Sequence, residues 1–540
     1  MSHRDFLHPC GNIRPWLGLA AIAASLLAQP AIAADFRWAG AANVQSLDPY
    51  IAPNSATRAV AGNIYEPLVA LDRNMKPAPA LATAWKRVSD TVWRFNLRKN
   101  VRFQDGSAFT AEDVVYSFHR ATTGSSLIKG QLSIVAEVRV IDDTTVDIVS
   151  VRPDPLLPQG LAGWLIMPSD WTPKHDPARQ TDGTGPFVLV EHKAGEHTVL
   201  ARNPLWWGHP DSLLNRAIYL PIQDEKKRVA ALLQGKVDLI QGVAPGDVGQ
   251  IDQAQGLKIL SAPLLRTVML GFDQSRPILP DQPPKKQNPF KDLRVRKAVA
   301  LAIDEGQIID KVMHGFARPA GLIIGPGVVG FAPQLDKRPP YDPAVARTLM
   351  AEAGYAKGFS VTFDCPWGRY VNDHTICEAI VPMLDAIGIH AKLKFWPTTG
   401  YREHIGPPDY NTQFFLLGWT AASDDVLGSL IALAATRAPA QQTGLFNIGG
   451  FSYPAIDQLI NQIESEPVPE KRQLLVNQAL TFIKNSVLYV PLHQEVVIWA
   501  ARDAVQTQAL ANGEMPLRYV KMGAPALTDA PETRGAKTGP

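Results

Sequence analysis

Charge of one sign is missing from this chain. Its 53 Lys and Arg stand against 51 Asp and Glu, a formal net charge of +2 over 540 residues. A nucleic-acid partner needs a basic patch or stripe to meet its phosphates, and none is present. Long apolar runs are also missing after the first thirty residues, so no later stretch is apolar enough to span a bilayer. The signatures of common catalytic centres are absent: no G-x-S-x-G, no H-E-x-x-H, no phosphate loop ending G-K-[ST] and no C-x-x-C. Ser126-Leu127-Ile128-Lys129 and Lys537-Thr538-Gly539 match two of the three marks of penicillin-binding enzymes. The third, S-D-N, is lacking, and the K-T-G ends a polar tail instead of lying on a strand. His192 and His197 flank a predicted turn with no further metal ligand nearby. Asp142-Asp143 reads as a turn, and Asp424-Asp425 has no histidine or second carboxylate at a telling spacing. The expectation is a chain without catalysis, cofactor or resident metal.

Cysteine is scarce as well, at three residues. Cys10 precedes the apolar run Trp16–Ala28 (WLGLAAIAASLLA), so it is not the lipidated first residue of a lipoprotein. That run is shorter than the ~20 residues a membrane span requires. It follows Arg4 and Arg14 and leads into Ala31-Ile32-Ala33, the layout of a secretory leader cleaved after Ala33. The expected location is therefore the periplasm. An oxidising compartment permits a bridge between Cys365 and Cys377; two buried free thiols are the alternative.

What is present is a hydrophobic share of 46% and 45 prolines, enough for real cores joined by many turns. The first half reads as short strands and hairpins. Thr91–Leu97 alternates apolar and polar residues, and Glu137–Val140 turns through Asp142-Asp143 into Thr145–Val149. Phe187–His192 turns near Gly195 into Thr198–Ala201. Thr110 with Asp113 opens a helix by a carboxylate capping box. The second half is more helical, with helices expected over Arg296–Ile303, Gln307–Met313 (closed by Gly315), Asp342–Gly354, Thr375–Ala386, Ile456–Ile463 and Glu470–Lys484. Strands over Ser360–Phe363, Ala391–Phe395 and Gln413–Leu417 lie between them. Such alternation predicts an α/β fold with a largely covered sheet. Among the aromatics, Trp206-Trp207, Trp367 and Trp419 fall at strand ends or loops, where core packing and ligand contact are both open readings.

A series of short blocks, none specific alone, occurs in a telling order. Ser46-Leu47-Asp48-Pro49 is followed by Tyr65-Glu66-Pro67-Leu68, Phe103-Gln104-Asp105-Gly106 and Phe109-Thr110-Ala111-Glu112-Asp113-Val114. Gly183-Thr184-Gly185-Pro186-Phe187, Arg202-Asn203-Pro204, Gly235-Lys236-Val237-Asp238, Arg294-Val295-Arg296-Lys297-Ala298 and Tyr341-Asp342-Pro343 continue it. The series resembles the extracellular solute-binding proteins of dipeptide, oligopeptide and nickel importers, the bacterial solute-binding protein family 5. The resemblance implies a two-lobed clamshell (type II, cluster C-like) with an extra domain inserted in the first lobe. On that pattern 34–52, 183–268 and 496–522 build the first-lobe main domain, 53–182 the inserted domain and 269–495 the second lobe, with 523–540 a disordered tail. It also implies a monomer that captures a peptide between its lobes and delivers it to an ABC permease and its ATPase. A non-peptide solute on the same fold (an opine-like conjugate, a glycoside, a metal chelate or haem) is the alternative.

Gly418-Trp419-Thr420-Ala421 resembles the family's segment whose backbone pairs with an extended peptide. Peptide binders follow it with an aspartate for the amino terminus, whereas this chain has Ala422, so Asp424 or Asp425 would have to supply the charge. Arg369, followed by Tyr370, falls about where dipeptide binders hold the ligand carboxylate; a solvated loop arginine is the other reading. Tyr50 completes the expected ligand-binding set.

Overall fold

A computed structural model describes residues 35–523 apart from 52–53, 74, 155, 210–213, 282–286, 422–424 and 442. The expected leader, the expected tail from 524 onward, Ala422 and Asp424 lie outside the described residues. Two long strands, Leu257–Phe272 and Tyr489–Arg502, pair with each other antiparallel from Leu257↔Arg502 to Gly271↔Tyr489. Together they join two half-sheets into one sheet of eleven described strands.

On one side Tyr489–Arg502 pairs with Leu239–Gln241. Phe36–Gly40, Arg216–Pro221, His197–Arg202 and Phe187–Lys193 follow in order. On the other side Leu257–Phe272 pairs with Phe414–Thr420, which is followed by Phe359–Trp367 and Ile389–Pro397. The register of the long pair shifts between Pro263 and Thr267 and again between Val268 and Met269. Neither long strand stands out in the sequence, because Pro263 and Pro491 interrupt their apolar pattern and proline in a run argues against a central strand. The bulges accommodate both.

Separate cores lie on the two sides. Trp38, Tyr50, Phe95, Trp164 and Trp499 belong to the core of the first side. On the second side the sheet is covered on both faces. Phe414 and Leu416 pack into a core with Phe363 and Ile376, while Phe415 and Leu417 pack into another with Leu430 and Ile460. Successive strand residues point to opposite faces, so a continuous apolar run here marks a doubly covered strand.

Beside the large sheet, Ala82–Ser89, Val92–Leu97, Thr145–Ser150 and Val135–Asp142 form a four-stranded antiparallel sheet. Helix Ala111–Thr122 packs on it and begins with the capping box of Thr110 and Asp113. The helix expected over Gln307–Met313 is different. A single helical turn, Glu305–Gln307, passes into a wide π turn, Ile308–Val312, whose end is closed by the Gly315 N–H on the Ile309 carbonyl.

Candidate functional site

Strand Phe414–Thr420 is paired along its whole length on one side, from Arg266↔Thr420 to Phe272↔Phe414. On its other side the neighbour Phe359–Trp367 reaches it only at Phe414 and Phe415. From Leu416 onward that edge has no strand partner among the described residues. The Leu416 carbonyl on this edge accepts the Tyr401 hydroxyl at 2.5 Å. Backbone groups alternate along a strand, so the N–H and C=O of Gly418 and Thr420 face the same open edge. Glycine is required at the first of them: a Cβ on Gly418 would lie 2.5 Å from Cε1 of the Tyr370 ring.

Arg369 and Tyr370 sit in the loop between strand Phe359–Trp367 and helix Asp373–Asp385. One buried carboxylate shapes that loop. Asp373 accepts the N–H groups of Gly368 (3.1 Å), Arg369 (2.7 Å) and Tyr370 (3.0 Å). Gly368 and Asn372 take positive φ, +75° and +53°, to make the bend. A disulfide between Cys365 and Cys377 ties the strand to the helix just behind it. The loop presents a half-buried Arg369 whose Nε donates to the Tyr370 hydroxyl at 3.1 Å. A cavity of about 340 Å³ opens in front of it, lined by Arg369, Tyr370, Tyr401, Arg402, Leu417 and Phe446 among others. This falls within the ~300–1,000 Å³ of ordinary small-molecule sites.

Trp419 stands half-buried next to that cavity. Its indole N–H donates to Ser429 Oγ at 2.9 Å, and its ring lies 5.1 Å from Phe446, a lining residue. A charged network links the site to the junction of the two half-sheets. Fully buried Glu495, on one long strand, accepts the Val371 N–H at 3.0 Å and Arg266 at 2.9 Å. Arg266, on the other long strand, also donates to Thr420 Oγ at 3.0 Å. Burial raises the Glu495 pKa, and Arg266 opposes that rise.

The remaining expected site residues are elsewhere. Asp425 caps helix Val426–Leu433 through the Leu427 N–H (2.7 Å), and both its oxygens hold Arg472, at 3.0 and 2.8 Å. Tyr50 is buried in the first-side core, with its hydroxyl on the Leu165 carbonyl at 2.5 Å and Arg120 over its ring. Trp206 and Trp207 both donate to the buried Glu66, at 3.1 and 2.8 Å, and so pack the first side. Trp367 is exposed and stacks on His374. Arg402, Phe446, Arg266 and Glu495 were not picked out from the sequence. Arg402 and Phe446 enter from separate segments that only the fold brings to Arg369, and no local spacing announces that.

The two cored halves, joined by a pair of long strands, form the type II periplasmic-binding-protein fold. HbpA2 from Haemophilus parasuis superposes with a TM-score of 0.80 at 21% identity, over 91% of this chain and 100% of that one. DppA from Helicobacter pylori in complex with the peptide STSA gives a TM-score of 0.72 at 23% identity, over 91% and 98%. In sequence, the glutathione-binding protein GsiB of Salmonella choleraesuis is 26% identical over 503 residues, 90% of this chain and 94% of that protein. Residues 76–440 match the model of the bacterial extracellular solute-binding proteins, family 5. The chain belongs to that family: it is an extracellular solute-binding protein.

Proposed function

We propose that this chain is the periplasmic receptor of an ABC importer and captures a short peptide on the open edge of strand Phe414–Thr420. One observation carries the reading. The backbone of Gly418 and Thr420 faces a strand edge without a strand partner among the described residues, beside a cavity that holds Arg369. An extended peptide added to such an edge gains main-chain hydrogen bonds with little side-chain preference, and a terminal carboxylate reaching Arg369 gains a two-pronged ion pair. The peptide-binding DppA and the glutathione-binding GsiB, both similar to this chain, support that class of solute. The long strands serve as the hinge between a first lobe, with its inserted domain at 53–182, and a second lobe over 269–495. Ligand binds the closed arrangement better and shifts the population toward it. Export follows cleavage after Ala33, and the closed monomer docks on the permease.

Native mass spectrometry of protein from an osmotic-shock fraction tests this. A retained peptide and an N-terminus at Ala34 are expected; a chain that keeps Met1 and stays in the cytoplasm would sink the reading.

One observation favours a second reading, a solute without a free α-amino group. Asp425 has both carboxylate oxygens on Arg472, and the position where peptide binders carry their amine-holding aspartate is Ala422. A buried ammonium without a counter-charge costs several kcal/mol. On this reading Ala422→Asp creates calorimetric binding of free-amine dipeptides; on the first it adds little.

A further inference from the structure

Arginines of the second half are almost all occupied. Every arginine of residues 266–472 sets its guanidinium on a carboxylate or a backbone carbonyl, with two exceptions among the described residues. The exceptions are Arg369, whose one side-chain bond goes to the Tyr370 hydroxyl, and Arg402, whose guanidinium lies 5.9 Å from the Phe446 ring centroid without an ion pair. Both line the same cavity of about 340 Å³. The one acid lining it among the described residues is Glu403, exposed and next to Arg402 in sequence.

The helix that carries the exposed Arg402 is held in place. That helix, Thr398–Ile405, is anchored on one flank by Tyr401, fully buried, whose hydroxyl bonds the carbonyls of Leu416 (2.5 Å) and Asp364 (3.1 Å). His404, three residues on and on the same side of the helix, lies 3.3 Å from Asp364 and stacks on Trp396 at 3.9 Å. Two guanidiniums without a counter-charge among the described residues, a half-buried Arg369 and an exposed Arg402, stand on separate elements around one cavity and form a receptor for two anionic groups. Each planar fork suits a carboxylate.

From this pairing we infer that the solute carries at least two carboxylates, one for Arg369 and one for Arg402: an acidic dipeptide or a dicarboxylate conjugate of similar length. The inference rests on the proposed capture site beside strand Phe414–Thr420 and narrows its substrate class.

Calorimetry with Ala-Gln, Ala-Glu and pimelate (a dicarboxylate of dipeptide length) tests it on the full mature protein and on Arg402→Gln. Ala-Glu is expected to bind about tenfold or more tightly than the near-isosteric Ala-Gln. Arg402→Gln abolishes that preference without moving the melting temperature, and Arg402→Lys restores part of it. Equal affinity for the two peptides, or an equal loss of both in Arg402→Gln, overturns the inference and leaves peptide capture standing. Binding of pimelate that depends on Arg402, with neither peptide bound, overturns peptide capture and leaves the dianionic ligand standing. Binding of none of the three overturns the inference.

Discussion

Single residues around the cavity divide into those that hold the loop and those left free for a ligand. Asp373 does the first and Arg369 the second, so their substitutions differ in kind. Arg369→Ala is expected to weaken solute binding by about 2–5 kcal/mol, mainly through faster dissociation, with the denaturation midpoint unchanged. Unaltered affinity in titration calorimetry would return Arg369 to the solvated-loop reading. Trp419→Ala should cost about 2–4 kcal/mol of binding, as a central aromatic anchor does. Its stability cost should stay below the roughly 3–5 kcal/mol of a fully buried tryptophan, because Trp419 is half-buried. A full stability loss with affinity intact would make Trp419 a packing residue. His493, on long strand Tyr489–Arg502, offers a test by pH. It is fully buried, neither ring nitrogen has a hydrogen-bond partner, and burial first and Arg338 second push its pKa from 6.5 down to about 4. The folded chain therefore binds fewer protons than the unfolded chain between those values. The His493 contribution is intact above pH 6.5 and is lost as pH falls toward 4, a change of about 2–3 kcal/mol by pH 4.5. Glu305, pushed up to about 7 by burial, works in the opposite direction over a similar range, so the wild-type curve alone does not isolate the histidine. His493→Leu does: its stability advantage over wild type in urea should grow by about 2–3 kcal/mol between pH 7 and pH 4.5. A pH-independent difference would contradict the assignment.

Elements were legible where one local rule decided them. Thr110 and Asp113 announced their helix by a capping box, and Thr91–Leu97 its strand by alternation; the structure has both. Several family blocks turn out to serve the fold. Asp48 holds Arg120, and Glu66 gathers Thr184, Trp206 and Trp207. That is why the blocks reveal the architecture more readily than the ligand. The long strands were not legible, since their pairing spans over two hundred residues of sequence and both contain proline. The cavity escaped for the same reason: Arg369, Arg402 and Phe446 converge only once the strands pair. The open edge of Phe414–Thr420 also depends on Gly418. Gly418→Val would drive a side chain into the Tyr370 ring, displacing the loop that carries Arg369. Solute binding is expected to fall by about tenfold or more, with a smaller loss in stability, since Tyr370 lies at the cavity margin and can shift. Wild-type affinity in Gly418→Val would show that neither the edge nor Tyr370 contacts the ligand.

At the scale of the molecule, two cored halves meet through the long strand pair and through further contacts: Met75 is buried in a second-half core, and Phe316 packs against a first-half one. Arg152, just after the four-stranded sheet, pairs with Glu464 on helix Pro454–Ser465. Nearby Asp154 has its pKa raised, by burial first and then by Asp425, while Arg152 and Arg472 oppose the rise. This ion pair adds little to the contact between the halves, as a partly exposed pair is worth about 0–1 kcal/mol. If the halves close on the solute as proposed, Glu464→Gln should lower solute affinity a few-fold in calorimetry without touching the cavity, and unchanged affinity would count against this pair's part in closure.

Backbone capture at the strand edge is tested by amide hydrogen exchange of the segment 414–420, with and without saturating solute. Added pairing on the open edge should slow exchange at Gly418 and Thr420 specifically, with protection spreading along Leu257–Phe272 and Tyr489–Arg502 as the lobes close. A solute that binds with full stoichiometry yet leaves the Gly418 and Thr420 amides exchanging at their free rates would contradict capture by strand addition.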